Sequence, residues 1–595
     1  MLGFSNEGSI FTDFINFSFL LLEYEGKSET LNLFFELSNI IVHILGIIFT
    51  GFLIATITTG LSSRLDTIRE SNLPVIEVGH IIILGWSNQI YSLVSELILA
   101  NESEKKCVIT ILGELPRSEM YQKINENIKI KNKNVKIICR QGDCRYKASV
   151  EIVSPDTAKV IIINPNSHSE TDVFKTLLAI TNRTNRKKDN FHIVTSINNR
   201  EEIALCKTIG KKELEIIDTN VFLPRLEAQT IRQAGLPIVY EDLLDFDGDE
   251  IYLKKEEKLY GKLFSECLTA YNKTAIIGIF SNGKAYLNPP HNRIYKRNEK
   301  LIGISEDDST FLLSTSINNN SIKKLKNIKV FKRNYNRRLK PENYIILGFN
   351  KYTKNMINDM EEYVPKNSKC HIFYTSSCNL NKNKFKNLNI TIKKLNQIDQ
   401  NFLESLRLNN INSVAIESDY DIDKAKVNLK KVEYETIKRM IYIRKIRKIK
   451  NLNFRIITEL LETNNHELLK EKNSDDFIIS EKLVSSAIAQ ISENKELSEV
   501  FNELFIPDGS EIYLKPITKY INTKDKINFY QLIEIAKSYN EIAIGYKINA
   551  FSEYSNYNYN NKNINFGVMI NPNKIDDIKF SDDDLLIVLA KDNYS

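Results

Sequence analysis

A long internal repeat is the feature that most constrains how this chain can fold. The segment HIIILGWSNQIYSLVSELI (His80–Ile98) is matched by NYIILGFNKYTKNMINDME (Asn343–Glu361), at an offset of 263 positions. Farther along, DGDEIYLK (Asp247–Lys254) recurs as DGSEIYLK (Asp508–Lys515), at an offset of 261 positions. Two distant pairs of segments that keep nearly one offset indicate a duplicated module.

Within each copy, short apolar runs rich in β-branched residues alternate with stretches long enough for helices. Apolar strands separated by crossover helices are typical of a parallel sheet that is covered on both faces. The runs are Ile81–Leu84, Val108–Leu112, Val135–Cys139, Val160–Ile163, Phe191–Ser196 and Leu214–Ile217, and then Tyr344–Leu347, His371–Tyr374, Val414–Ile416 and Phe454–Thr458. We therefore predict an α/β protein with two Rossmann-like, doubly wound units, each followed by a small α+β tail.

A helix is predicted after each Rossmann-like unit. The first runs from about Leu223 to Gly235, where the glycine suits a helix C′ position. The second carries an apolar stripe at helical spacing between Leu483 and Ile491. Periodicity alone leaves two interpretations open, which are ordinary core packing and a surface that pairs subunits.

The N-terminal region contains a long uncharged stretch. From Leu37 to Ser63 there are 27 consecutive residues without Asp, Glu, Lys or Arg. As a helix they would measure about 40 Å, against about 30 Å for the hydrocarbon core of a bilayer. Residues 1–36 are acidic, whereas Arg64 and Arg69 follow the stretch. The length predicts a membrane-spanning helix in a single- or multi-pass protein of the cell membrane. The positive-inside tendency then places the C-terminal domains in the cytoplasm.

A second apolar run, FINFSFLLL (Phe14–Leu22), is too short to cross a bilayer. It can lie at the membrane interface, or it can be a re-entrant pore helix whose following loop faces water. In the second interpretation Glu23, Glu25 and Gly26 form an acidic loop at the outer mouth of a pore, where they concentrate cations.

Composition excludes several classes of protein. The chain is 42% hydrophobic and 26% charged, which is incompatible with a disordered chain. Its seven cysteines are scattered without a CxxC pair, which argues against a disulfide scaffold or a zinc finger.

Three polar or basic segments have no recognised binding motif. The basic segment 323–340 is interpreted as a solvated linker, with contact to anionic lipid as the alternative. The basic run Lys438–Lys450 is interpreted as a helix with a buried edge, and Ser555–Asn565 as a polar loop. No nucleic-acid partner is predicted, because the sequence does not place these charges in one groove with stacking aromatic residues.

The turn after the first strand of each copy departs from the dinucleotide fingerprint G-x-G-x-x-G. In the first copy Gly85 is present, but Ser87 and Ile90 replace the second and third glycines, and the second copy retains only Gly348. The pattern predicts a Rossmann scaffold without its usual phosphate loop. The candidates for binding a nucleotide are Gly85, Trp86, Ser87, Glu114 and Arg140, with Glu114 placed to meet a ribose.

Three alternating aspartates, Asp245, Asp247 and Asp249, precede the first EIYLK strand. Clustered carboxylates can bind Ca²⁺, which prefers six to eight oxygen ligands. The spacing departs from that of an EF-hand, so a solvated acidic turn is the alternative interpretation. No HExxH, GxSxG or Walker motif is present, and we predict that the chain is not an enzyme.

Four segments carry a resemblance to a known family. They are TTGLSSRLDTIRESNLPVIEVGHIIILGWS (Thr58–Ser87), ICRQGD (Ile138–Asp143), LPIVYEDLLDFDGDEIYLK (Leu236–Lys254) and DDFIISEKLVSSAIAQISENKELSEVFNELFIPDGSEIYLKP (Asp475–Pro516). In these segments the chain resembles the Castor/Pollux family of ion channels, and the similarity extends over roughly residues 40 to 592.

The resemblance implies a homotetrameric channel in which each chain carries two RCK domains (regulators of potassium conductance). Eight such domains would form a cytoplasmic gating ring that responds to a ligand, with Ca²⁺ or a nucleotide as candidates. The implied divisions are a pore region at 1–64, a linker at 65–79, RCK1 at 80–245 with its subdomain at 246–312, a linker at 313–342, and RCK2 at 343–504 with its subdomain at 505–595. The implied partners are membrane lipid and permeating monovalent cations. No TVGYG potassium filter occurs in the sequence, so the resemblance does not imply an ion selectivity.

The leading hypothesis is therefore a ligand-gated cation channel subunit, with potassium as the favoured ion. The first alternative is a membrane-tethered, nucleotide-binding regulatory subunit of a cation transporter. A third hypothesis, an NAD-dependent oxidoreductase, is weakened by the turns at Gly85 and Gly348.

Overall fold

The computed structural model describes most of the chain and divides it into two compact parts. The N-terminal part comprises residues 1–73 with 116–118, and the other part comprises 74–115 with 119–595. The described residues are 41, 44–58, 73–128, 134–164, 170–183, 186–187, 189–314, 340–381, 384–420, 428–462, 476–505, 509–524, 526–554, 557–559 and 562–591.

In the N-terminal part, residues 44–58 form a helix with exposed apolar side chains. Among the described residues, no helix has both the length and the apolar character needed to cross a membrane.

The first sheet has six parallel strands within the described residues, in the order β3-β2-β1-β4-β5-β6. The strands are β1 (Ile81–Leu84), β2 (Cys107–Gly113), β3 (Val135–Gln141), β4 (Val160–Ile163), β5 (Ile193–Ile197) and β6 (Leu214–Asp218). The helices are α1 (Ile90–Ala100), α2 (Arg117–Asn127), α3 (Lys147–Ile152), α4 (Glu170–Thr181), α5 (Arg200–Gly210), α6 (Thr219–Arg232) and α7 (Leu236–Leu244). Strands β1 and β4 are buried at every position, as expected for apolar strands covered on both faces.

A small tail follows the first sheet. It contains β7 (Glu250–Lys254), the short helix α8 (Phe264–Cys267), β8 (Thr274–Ser281), β9 (Lys284–Leu287) and β10 (Lys300–Ser305). The strands pair antiparallel in the order β7-β10-β8-β9.

The second sheet repeats the first, with parallel strands in the order β13-β12-β11-β14-β15-β16. The elements are β11 (Asn343–Leu347), α9 (Thr353–Tyr363), β12 (Ser368–Tyr374), β13 (Leu388–Lys394), α10 (Gln400–Ser405), β14 (Ser413–Ile416), α11 (Leu429–Ile449), β15 (Arg455–Leu460), β16 (Asp476–Ile479), α12 (Ser480–Glu493) and α13 (Leu497–Leu504). The prediction of two doubly wound α/β units is confirmed. The sequence pattern missed β13, because this edge strand alternates polar with apolar residues, and β16, because its short run DFII begins with a charged residue and continues directly into α12.

The second tail repeats the antiparallel sheet of the first, in the order β17-β24-β19-β22. Its elements are β17 (Glu511–Pro516), β18 (Ile527–Asn528), α14 (Phe529–Lys537), β19 (Ile542–Lys547), β20 (Tyr557–Tyr559), β21 (Lys562–Ile564), β22 (Val568–Ile570), β23 (Asp577–Ile578) and β24 (Leu585–Ala590). The interpretation of Ser555–Asn565 as a loop is wrong, because β20 and β21 pair as an antiparallel hairpin within it.

The helix that follows each sheet packs on the other sheet. Helix α6 lies against β14, β15 and α9 of the second unit, and α12 lies against β4, β5 and α1 of the first. We call α6 and α12 the exchanged helices. Of the two interpretations of their apolar stripes, the structure shows core packing, in which each helix completes the core of the other unit.

Two sequence predictions about helices have different outcomes. The helix predicted to end at Gly235 ends at Arg232, and Gly235 adopts φ +89° immediately before α7. The basic run from Lys438 is helical as predicted, since it lies in α11, where Arg439, Met440, Ile443 and Ile446 form part of a buried edge.

A buried ion pair fixes α6 to the second unit. The Arg225 guanidinium on α6 pairs with Glu511 of β17, and the two residues are 1% and 2% exposed. The hydroxyls of Tyr363 and Tyr513 donate to the same carboxylate, at 2.6 and 2.8 Å. Because both carboxylate oxygens accept these contacts, the charge of Glu511 is compensated although the side chain is buried.

Further polar contacts join the two halves of the chain. Gln490 on α12 donates to the carbonyl oxygens of Leu243 and Leu244, at 3.1 and 3.0 Å. In the tails, the fully buried Lys574 amine donates to the carbonyl oxygen of Tyr271 at 2.7 Å, and burial lowers the pKa of Lys574 to about 7. The two modules are therefore joined by the exchanged helices and by the tails.

We expect Glu511→Gln to destabilise the full-length protein, because it removes the carboxylate that pairs directly with the buried Arg225 guanidinium. Breaking a buried pair in this way costs about 3–5 kcal/mol. The control is Glu266→Gln, which removes the exposed i,i+4 pair with Lys262 and should cost less than about 1 kcal/mol. Thermal unfolding in detergent measures both, and equal melting temperatures for the two variants would contradict the prediction.

Gly85→Ala should destabilise more than Gly283→Ala. Both glycines have positive φ, +105° and +75°, so alanine at either position carries the left-handed penalty of about 1–2 kcal/mol. A Cβ on Gly85 would also lie 2.2 Å from the Asn164 carbonyl oxygen, whereas Gly283 has open space within 4 Å. Melting temperatures of the two variants test this, and equal decreases would show that the turn after β1 tolerates a side chain.

Candidate functional site

The first candidate site lies where the strand order reverses, between β1 and β4. In doubly wound sheets, ligands bind at the carboxyl ends of the strands at this switch point. Gly85 follows β1 and Asn164 follows β4, and the Ser87 hydroxyl donates to Asn164 Oδ1 at 3.0 Å. The structure therefore brings Gly85 and Ser87 to the expected position in the fold.

Trp86 packs against Tyr91 and against Gly113, the last residue of β2. Its side chain is half-buried, its ring meets Tyr91 edge-on with centroids 6.2 Å apart, and a Cβ on Gly113 would lie 3.2 Å from its Cβ. The close approach of Trp86 to Gly113 fits a packing role for this indole.

An arginine that the sequence analysis did not select organises the charges at this edge. Arg145 contacts Asp143 at 2.6 Å, Asp172 at 3.2 Å and Glu114 at 3.3 Å. Its hydrogen bonds lower the pKa of Asp143. Because three carboxylates surround the guanidinium, much of its charge is compensated within the protein. Arg140 lies in β3, and its guanidinium donates to the carbonyl oxygen of Cys139 at 3.0 Å.

The corresponding edge of the second sheet is filled by protein. Gly348 has φ +114°, and a Cβ there would lie 2.2 Å from the Glu417 carbonyl oxygen. Phe349 and Asn350 follow it and are both 0% exposed. Asn350 Oδ1 accepts from the backbone amides of Tyr352 and Thr353, at 2.8 and 3.1 Å. A dinucleotide therefore has no open cradle at this turn.

Three buried carboxylates meet at that same edge. Glu227 comes from the exchanged helix α6, Glu417 directly follows β14, and Glu459 lies in β15. A carboxylate oxygen from each lies within 4.8 Å of the others, and the side chains are 1%, 2% and 1% exposed. We call these residues the carboxylate cluster. Within the part of the chain that the structure describes, no other group of three His, Cys, Asp or Glu side chains meets this geometry.

Burial and mutual repulsion disfavour the ionised forms of these carboxyls. Burial, with repulsion from Glu417 and Glu459, raises the pKa of Glu227 well above its ordinary value. Burial, with repulsion from Glu459, does the same to the pKa of Glu417. The pKa of Glu459 is also raised by burial, although hydrogen bonds from Ser418 and Asn350 oppose the shift.

The predicted acidic turn does not bring its three aspartates to one point. Asp245 pairs with Lys482 of α12 at 3.1 Å, and Asp249 accepts from the Asn571 side-chain amide at 2.8 Å. Asp247 is exposed. Each aspartate thus has a different environment, and the three do not form a group of the geometry found in the carboxylate cluster. A metal site at this turn stays a prediction.

The predicted pore residues Glu23, Glu25 and Gly26 lie outside the described residues. The carboxylate cluster was not predicted from the sequence. Its available signals were a glutamate inside the apolar strand RIITEL and a glutamate directly after the strand SVAI. The ends of adjacent parallel strands meet at one edge, but nothing in the sequence places α6 over that edge.

Comparisons with known proteins agree with this architecture. A family model of the middle region of Castor and Pollux, described as part of a voltage-gated ion channel, matches residues 220–321. The human SLO3 gating ring superposes with a TM-score of 0.56 at 15% identity, covering 86% of this chain and 99% of that chain. At this identity the likeness shows the fold alone, which is that of paired RCK-like units.

Curated relatives match most of the chain. The probable ion channel POLLUX of Arabidopsis thaliana is 24% identical over 588 residues, covering 92% of this chain and 68% of that protein. The ion channel CASTOR of Lotus japonicus is 24% identical over 546 residues, covering 84% of this chain and 63% of that protein. The chain thus spans about two thirds of the length of these relatives, which are named ion channels and not enzymes. These comparisons confirm that the chain resembles the Castor/Pollux family of ion channels along most of its length.

Proposed function

We propose that this chain is a subunit of a ligand-gated cation channel in the cell membrane, with its duplicated modules forming a cytoplasmic gating ring. The observation that carries the proposal is the combination of an apolar N-terminal helix with two RCK-like units joined by exchanged helices. The ion channel relatives and the likeness to a gating ring support the same function.

The N-terminal helix has the surface of a segment that lies in lipid. Within 41–58, the large apolar side chains that are more than two fifths exposed are Ile41, Ile44, Leu45, Ile47, Ile48, Phe49, Phe52, Leu53, Ile54 and Ile57. Residues 44–58 contain no charged side chain. A soluble protein rarely exposes so continuous an apolar surface, whereas a membrane helix must. In the proposal this helix belongs to the inner pore helix that the sequence predicts from Leu37 to Leu61.

The chain that follows this helix is attached to the first Rossmann-like unit by the residues that precede β1. Val75 is 4% exposed and packs with Val108 and Ile138, and its amide donates to the Ile152 carbonyl at 2.8 Å. Glu77 pairs with Lys106 at 2.6 Å and with Lys136 at 3.0 Å. A rearrangement of the first sheet would therefore pull on the chain that leads to the membrane.

Gating in the proposed channel is a population shift. A ligand that binds one arrangement of the ring more tightly favours that arrangement, and the anchored connection transmits the difference to the pore. Four chains would surround the pore, and the acidic residues Glu23 and Glu25 would attract cations to its mouth. Potassium is the permeant ion that we favour.

Purified full-length protein in a planar bilayer should conduct K⁺ and exclude Cl⁻. Reversal potentials in asymmetric KCl measure the selectivity, and a truncated chain beginning at residue 74 serves as the matched control without the apolar helix. Cation current from the full chain alone supports the proposal. A silent bilayer with verified tetramers would contradict it, and nucleotide binding by such silent tetramers would favour the alternative of a regulatory subunit.

Val75→Asp should uncouple the ring from the pore. The substitution places a charge in the buried cluster with Val108 and Ile138, so it detaches the connection from the first sheet. The control is Ile76→Asp, the same kind of change at a side chain that is 91% exposed. We expect Val75→Asp channels to conduct without responding to millimolar Ca²⁺ on the ring side, while Ile76→Asp channels respond like wild type. Equal responses of both variants would refute the role of this anchor.

A further inference from the structure

A fully buried lysine joins the two tails. It lies in the turn 571–575, which follows β22 of the second tail and contacts the start of β8 in the first tail. The Lys574 side chain is 0% exposed, and its amine donates to the carbonyl oxygens of Tyr271, at 2.7 Å, and Thr274. Lysine is almost never buried to this extent unless a carboxylate pairs with it. No residue in the described part of the chain forms an ion pair with this amine.

The aromatic group beside the Lys574 amine is uncharged. Tyr530 of α14 places its ring centroid 5.8 Å from the amine, and its hydroxyl donates to the carbonyl oxygen of Tyr271 at 3.2 Å. Burial raises the pKa of Tyr530 to about 12, so its phenol stays neutral at physiological pH. The ring and the two carbonyl oxygens therefore surround the amine without supplying a negative charge.

The charged groups at the same junction have other partners. Asp249 of the first tail accepts from the Asn571 side-chain amide at 2.8 Å, and the same amide donates to the carbonyl oxygen of Lys273 at 2.7 Å. The Lys273 side chain is exposed. On the turn itself, Asp576 accepts from the Asn573 side-chain amide at 3.0 Å. Asn571 thus joins the tails through contacts that are separate from those of Lys574.

The geometry points to a proton-sensitive latch, and we propose that Lys574 holds the two tails together when its amine is neutral and loosens them when the amine is protonated. A neutral amine has two N–H groups, and the carbonyl oxygens of Tyr271 and Thr274 accept both. A protonated amine has three donors. It also adds a full charge where no carboxylate pairs with it, which is costly in a buried position.

The stability of this junction should rise with pH. In the unfolded chain the amine of a lysine keeps its proton up to about pH 10.4. Burial lowers the pKa of Lys574 in the folded protein to about 7. Between these two values the unfolded chain binds more protons than the folded one, so each pH unit favours the closed junction by up to about tenfold. Below pH 7 both states are protonated, and the contribution of Lys574 stays at its minimum.

The latch would regulate one of the links between the two modules. The tails are joined at Lys574 and Asn571, whereas the Rossmann-like units are joined by the exchanged helices. Acidification on the ring side would therefore loosen the tails and leave the contacts of α6 and α12 in place. As a regulator of gating the latch rests on the proposed function, but as a contact between the tails it depends only on the described side chains.

Hydrogen-exchange mass spectrometry of the purified full-length protein at pH 6.5 and 8.5 tests the latch, after correction for the intrinsic exchange rate. The Tyr530 amide, which donates to the Lys574 carbonyl oxygen at 3.2 Å, is a local reporter. We expect peptides covering 526–532 and 571–578 of wild type to be at least about tenfold better protected at pH 8.5. Peptides covering β1 should show no such change.

Three variants separate protonation of Lys574 from other effects of pH. Lys574→Met removes the titrating group, so the tail peptides should have the same protection at both pH values. Lys574→Arg carries a permanent charge, so these peptides should be poorly protected at both. Lys579→Met is the matched control, since Lys579 is an exposed lysine five positions farther along, and it should keep the pH dependence of wild type.

Equal corrected exchange of the wild-type tail peptides at both pH values would overturn the proposal. So would a pH dependence that persists in Lys574→Met, or one that is equally large in the peptides covering β1. The wild-type comparison of tail and β1 peptides decides the matter even where a variant does not fold. A silent bilayer from protein that shows the expected exchange would refute the channel and leave the latch intact.

Discussion

The exchange of α6 and α12 between the two Rossmann-like units is the constraint on which the rest of the structure depends. Each sheet is covered in part by a helix from the other half of the chain, so neither unit completes its core alone. The buried pair of Arg225 with Glu511 fixes one exchanged helix, and hydrogen bonds from Gln490 fix the other. A change in one Rossmann-like unit therefore alters the packing of the other through the side chains of the exchanged helices.

The duplicated units have diverged at their switch points. The edge of the first sheet keeps half-exposed polar residues, among them Ser87 and the Arg145 guanidinium with its carboxylates. The edge of the second sheet is closed by Phe349, Asn350 and the exchanged helix, which carries Glu227 into it. One copy of the fold has thus retained a solvent-facing edge, while the other has used the same position to join the modules.

Much of the fold could be predicted from the sequence, and little of the site. The strands were predictable because apolar β-branched runs such as Ile81–Leu84 indicate burial on both faces of a sheet. The internal repeat then indicated the same fold for the second half of the chain. Strand β13 was missed because an edge strand with exposed alternate positions has no such run. The carboxylate cluster could not be predicted, because Glu227 meets Glu417 and Glu459 only through the helix exchange, which no local pattern encodes.

The central claim is that the paired Rossmann-like units act as sensors and are connected to a pore that crosses the lipid bilayer. Electron cryomicroscopy of the full-length protein in lipid nanodiscs tests it most directly. The account predicts a fourfold assembly in which residues 44–58 lie within the bilayer around the axis and the paired units form a ring on one side of it. A particle in which this helix packs inside a water-soluble body, away from any symmetry axis, would contradict it.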